Sequence, residues 1–182
     1  MKKNFLLAVI LVVLSAGKSF GQSTTGTANL NITLSDVLSM TVTQPPALTV
    51  NFDDETKYTS GITAVADDHI TVISSKGYTV KAISGAITGP SALTAASVKL
   101  TAAIGGSNGG NTGGTFTYAS DVALPAVATT AVSVISSTAT SWNGAVSANK
   151  FKMTYLIGAD GQFAGKTTGA NVIPVIYTVT QP

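Results

Sequence analysis

The sequence predicts an all-β fold: a single antiparallel β-sandwich, Ig-like in the broad sense, following an N-terminal signal peptide. Three observations predict it. Apolar residues alternate with Thr, Ser, Asn or Lys in short runs, the pattern of strands wet on one face and dry on the other. Gly, Pro, Asn, Asp and Ser punctuate most of these runs, as turns require. Beyond residue 21 the chain is rich in Thr, Ser, Ala, Val and Gly and contains no arginine, so strand formers outweigh helix formers.

The first element is the export signal. Lys2 and Lys3 precede an unbroken apolar run over residues 5–14, after which small and polar residues take over. That run is shorter than the roughly 20 residues a spanning helix needs. Ser19-Phe20-Gly21 reads as the cleavage site, which assigns 1–21 to the signal peptide and 22–182 to the sandwich domain. No cysteine follows, so neither a lipid anchor on cysteine nor a disulfide staple is available, and the fold must rest on its core. Lys2, Lys3 and Lys18 leave with the signal, and seven lysines then face eight acids. With no arginine to read phosphate or guanine edges, nucleic acid is not an expected partner.

The strands follow in order. Ala28, Leu30, Ile32 and Leu34 alternate with polar residues, and after Asp36 the pattern resumes as Leu38, Met40 and Val42 until Pro45-Pro46 stops it. Leu48, Val50 and Phe52 predict a further strand, ended by an acidic turn. Ile70 and Val72 begin the next; Tyr78, Val80 and Ala82 follow the Lys76-Gly77 turn. Val98, Leu100, Ala102 and Ile104 lead into GGSNGGNTGG, a flexible hairpin connection rather than a phosphate loop, because no Lys-Ser/Thr pair opens a helix after it. Phe116 and Tyr118, then Val132 and Val134, then Phe151, Met153 and Tyr155 mark three more strands, and Val175, Tyr177 and Val179 close the chain. Roughly nine or ten short strands result, with no helical period beyond the signal. The pentapeptide TVTQP occurs at residues 41–45 and 178–182, but its flanks do not match, so no duplicated half-domain is inferred.

Candidate chemistry is sparse. Asp53, Asp54, Glu55, Asp67 and Asp68, five of the eight acids, crowd into residues 51–70 together with His69, the only histidine. Paired acidic loops could hold calcium, yet the D-x-D-x-D-G order is absent and adjacent Asp residues point opposite ways on extended backbone. The reading adopted is solvated turns that blunt a strand edge. His69 reads as a partly exposed strand-start residue, since no G-x-S-x-G elbow and no cysteine accompany it. Pairs such as Asp54 with Asp67, or Asp121 with Asp160, could in principle cleave glycosides, but a chain with one tryptophan lacks the aromatic cleft such enzymes use. No catalytic, cofactor or metal residue is therefore assigned. Trp142, beside the Asn143-Gly144 turn, packs over an open sandwich end or stacks on a sugar ring. The alternating segment 22–34 either pairs within its own sheet or completes a neighbour's sheet by strand addition.

Residues 48–84 resemble the core of secreted Gram-negative sandwich proteins, the spore-coat-U-like and archaic chaperone–usher pilin group together with a related secreted family. Phe52, Tyr58, Gly61, Val72, Tyr78 and Val80 carry the likeness, and Gly169 ahead of Val175, Tyr177 and Val179 is similar to the closing strand of such subunits. The chain departs from many pilins in having no disulfide and no penultimate aromatic. It departs from wall-binding domains of the WxL type because Asn143 and Gly144 follow Trp142. The resemblance implies an exported, non-catalytic structural or adhesion protein of the periplasm, outer cell surface or extracellular space, in its most specific form a fimbrial-type subunit whose partners are like subunits or other surface proteins bound through an edge strand. The alternative reading is a carbohydrate- or cell-wall-binding module built on Trp142.

Overall fold

The computed structural model describes residues 29–43, 48–107, 115–138 and 149–182. The chain divides into two compact units, residues 1–34 and 35–182. All described strands lie in the second: β1 (Leu38–Val42), β2 (Ile62–Ser74), β3 (Tyr78–Ser84), β4 (Val98–Ile104), β5 (Phe116–Tyr118), β6 (Val122–Ala123), β7 (Val132–Ser137), β8 (Asn149–Ile157) and β9 (Val175–Thr180). Each pairing is antiparallel, and the strands form a five-stranded sheet in the order β1-β2-β8-β4-β6 and a four-stranded sheet in the order β5-β7-β3-β9. This is the sandwich the alternation predicts.

Inward rows from both sheets make one core. Val72 on β2, Leu100 on β4 and Met153 on β8 meet Val80 on β3 and Val134 on β7, all fully buried. Phe151 of β8 reaches across to Tyr78 of β3 and to Phe116 and Tyr118 of β5, with ring centroids 6.5, 5.6 and 6.2 Å away and edge-to-face geometry throughout. The Tyr78 hydroxyl, pushed well above its ordinary pKa by burial, accepts a hydrogen bond from Asn149 Nδ2 at 2.9 Å. A buried polar group is thereby satisfied across the two layers.

Several elements differ from the sequence expectation. Leu48, Val50 and Phe52 lie in irregular chain rather than a strand, and no strand is assigned over 29–34. A helix, α1 (Glu55–Ser60), stands where an acidic turn was expected. Asp54 caps it, its carboxylate accepting from the Lys57 N–H at 3.0 Å, and Gly61 ends it with a φ of 74°. Six residues are too few to show a helical period, which is why the pattern hid it. β2 begins at Ile62 and runs through Asp67 and Asp68, so those acids sit inside a strand and not in a turn.

Candidate functional site

β1 and β9 are edge strands of opposite sheets, and they touch along one flank. At one end the flank is fastened: Gln181 Nε2 donates to the Val37 carbonyl at 3.0 Å and to the Ser74 hydroxyl at 2.8 Å. Toward Val42 and Val175 it opens into a groove of about 910 Å³. His69 of β2 with Tyr155 and Ile157 of β8 line it from one sheet, and Val175 and Tyr177 of β9 from the other. The inner rows of both edge strands, Leu38-Met40-Val42 and Val175-Tyr177-Val179, stay only half-buried, whereas Tyr78, Val80 and Ala82 on β3 are fully covered. No other described strand pairs with the far edge of β1 or of β9. Apolar area thus remains partly wet along this flank.

His69 is buried, at 5 % exposure, and not the partly exposed residue expected from its place in the sequence. The cause is a bulge. Ala66 pairs with Met153 and Ile70 with Phe151, so three residues of β2 oppose the single Lys152 of β8. Asp68 takes a left-handed φ of 48° within it. Strict alternation would send His69 outward, but the two extra residues turn His69 and Ile70 both inward. The His69 ring then joins a relay of hydrogen bonds. Its Nδ1 lies 2.6 Å from the Thr43 carbonyl, which can only accept, so Nδ1 carries the hydrogen. Nε2 therefore accepts from the Tyr155 hydroxyl at 2.9 Å, and Tyr155 in turn accepts from the Tyr177 hydroxyl at 2.7 Å. This chain of polar groups runs from the end of β1 through β2 and β8 to β9, bridging the two sheets at the groove. Burial pushes the Tyr155 pKa up to about 12 and that of Tyr177 higher still, so both remain hydroxyls at neutral pH. Burial lowers the His69 pKa, which the Thr43 carbonyl opposes, and the ring is neutral.

The five clustered acids do not converge on a common point. Asp54 caps α1, and Lys57 pairs with Asp53 in the same turn. The Lys57 N–H is the first cause of the lowered Asp54 pKa. Asp67 and Asp68, which extended backbone would point apart, both reach the Gly105–Ser107 turn because of the bulge. Asp67 Oδ1 accepts from Gly106 N at 3.0 Å, and Asp68 Oδ1 from Ser107 N at 3.2 Å. Hydrogen bonding from Ser107 holds the Asp68 carboxyl below its ordinary value. Among the described residues no three His, Asp or Glu side chains gather as a metal site would require.

Phe52 and Tyr58 come together in the lining of the groove, whereas Gly61 sits against the backbone of Ile157 and Ala159. Phe52 meets Tyr58 and Phe163 edge-to-face, with centroids 5.4 and 5.0 Å apart. Gly158 lies beneath, where a Cβ would stand 2.6 Å from the Phe163 ring. Asp160, in the turn after β8, donates its N–H to the Thr59 carbonyl, and Asp121, between β5 and β6, pairs with Lys99 at 3.3 Å. Each serves a separate turn. Most of GGSNGGNTGG, Trp142, and residues 22–28 of the segment 22–34 lie outside the described residues. Over 29–34 the outer row is bare: Leu30 is 81 % exposed, Ile32 69 % and Leu34 89 %.

Sequence reasoning placed Tyr155 and Tyr177 on inward rows but missed their relay with His69. Tyr155 is 86 residues from His69 and 22 from Tyr177, a separation that leaves no local signal. Compared with known proteins, the chain matches no family model, no curated protein and no solved structure.

Proposed function

We propose that this chain is an exported, non-catalytic surface protein that assembles with copies of itself by strand addition, residues 22–34 of one copy entering the groove of the next. The observation that carries the reading is a matched pair of unfinished surfaces. The groove between β1 and β9 leaves two apolar rows half-covered, and Leu30, Ile32 and Leu34 form an exposed row at the same two-residue spacing. Fully burying such a side chain contributes about 1.5–3 kcal/mol, and the free edge of β9 supplies backbone partners. The resemblance of residues 48–84 to spore-coat-U-like and archaic pilin subunits agrees with an assembling surface protein. A non-catalytic role fits the groove's histidine, whose two nitrogens are committed to Thr43 and Tyr155.

The test removes residues 22–34 and measures oligomeric state by light scattering, with circular dichroism as the check on folding. Multimers are expected to vanish while the β-rich spectrum persists. A full-length protein changed to Asp at Leu30, Ile32 and Leu34 is expected to do the same. Multimers undiminished in both proteins would overturn the proposal.

A further inference from the structure

The groove carries a buried histidine for which strand capture has no obvious use. His69 is the only histidine in the chain, and it lines the groove between the two sheets. We propose that His69 makes the groove proton-sensitive, so that a strand seated over it is held while the ring is neutral and released when the ring takes a proton. The inference rests on the strand-addition reading above and adds its regulation.

Polar but uncharged groups face the ring. Thr43, just beyond β1, offers a carbonyl; β8 offers the Tyr155 hydroxyl and β9 the Tyr177 hydroxyl behind it. Neither β1 (Leu38–Val42) nor β9 (Val175–Thr180) contains a charged residue, and neither does the segment 48–52. On β2 itself Asp67 and Asp68 are spent on the Gly105–Ser107 turn. On β8, Lys150 and Lys152 alternate with the buried Phe151, Met153 and Tyr155. Among the described residues Lys166 is the one charged side chain lining the groove, and it donates to the Ala92 carbonyl. No carboxylate among the described residues stands by to stabilise an imidazolium.

A cation at that position is held by the Thr43 carbonyl and by the polarisation of water in the adjoining open groove. Apolar side chains entering the groove displace that water and raise the cost of charge on His69. The occupied groove therefore binds a proton more weakly than the empty one, and linkage makes the effect reciprocal: protonation weakens the hold on the strand. The sign follows directly. Affinity is full above the pKa of His69 in the empty groove, itself below the ordinary 6.5. It falls as pH drops through that value and levels off below the pKa in the occupied groove. Each unit by which occupancy lowers the pKa weakens binding about tenfold.

The probe is a synthetic peptide with the sequence of residues 22–34, added to the untagged full-length protein carrying Leu30→Asp, Ile32→Asp and Leu34→Asp, whose groove no neighbouring copy then fills. With a single histidine, NMR gives one imidazole Cε1–H resonance, and its titration reports His69 directly. The expected result is a lower His69 pKa with saturating peptide than without. Peptide affinity, measured by calorimetry, is expected to weaken at least about threefold from pH 7.5 to 4.5, while the His69→Gln protein loses that pH dependence. An unchanged His69 pKa on peptide binding overturns this inference alone and leaves strand addition standing. No peptide binding at pH 7.5 overturns strand addition and the inference with it. The NMR titration needs no change at His69, so the test survives even if His69→Gln fails to fold.

Discussion

Single residues here act mostly through backbone geometry. Gly61 ends α1 at a φ of 74°, and a Cβ there would lie 2.7 Å from both the Ala159 nitrogen and the Ile157 carbonyl oxygen. Backbone on both sides cannot yield easily, so Gly61→Ala is expected to destabilise the fold by about 1–3 kcal/mol, read as a lower midpoint in urea. An unchanged midpoint would mean that the helix end can shift away from β8. His69 is the second such residue, inward only because three residues of β2 oppose one of β8. Its lowered pKa means that the unfolded chain takes the proton more readily. Its contribution to stability is therefore present above about pH 6.5 and is lost as pH falls below that value toward the folded pKa.

At the scale of elements, the bulge in β2 links strand and loop. It turns His69 inward and brings Asp67 and Asp68 onto the first residues of the β4–β5 connection. Replacing both acids by Ala removes two acceptors for backbone N–H groups at an exposed turn. The expected outcome is faster amide exchange at Gly106 and Ser107 with little change in global stability, since surface contacts of this kind contribute modestly. Unaltered exchange at both amides would show that the turn holds without the carboxylates. Helix α1 makes the same point differently: acids that look like a cation site are accounted for by a cap and by a lysine one turn on.

For the whole molecule, stability must come from contact between the sheets, because the chain has no cysteine. Phe151 is the densest of those contacts, fully buried and in edge-to-face geometry with three rings of the opposite sheet. Phe151→Ala is expected to cost about 3–5 kcal/mol, measured by chemical denaturation. A loss below about 1 kcal/mol would mean that the two layers repack without it. The same sandwich is covered unevenly. β3 is flanked by β7 and β9 and fully buried inward, whereas β1 and β9 each lack a neighbour on one side among the described strands. That asymmetry creates the groove, and with it the case for assembly.

The sequence by itself determined the all-β class, because alternation at period two needs only local chemistry to be read. It also marked most strand positions, from Leu38-Met40-Val42 to Val175-Tyr177-Val179. Phe52, Tyr58 and Gly61 stood out in it as well, though not what they pack against. Local pattern failed where a neighbour decides the outcome. Leu48, Val50 and Phe52 alternate like a strand yet join no sheet in the described structure, and His69 is turned by a register shift that β8 imposes. Only the tertiary structure could decide the relay from Thr43 to Tyr177 and the open flank between β1 and β9. Both arise from contacts between residues far apart in the chain, and periodicity carries no information about which strands become neighbours.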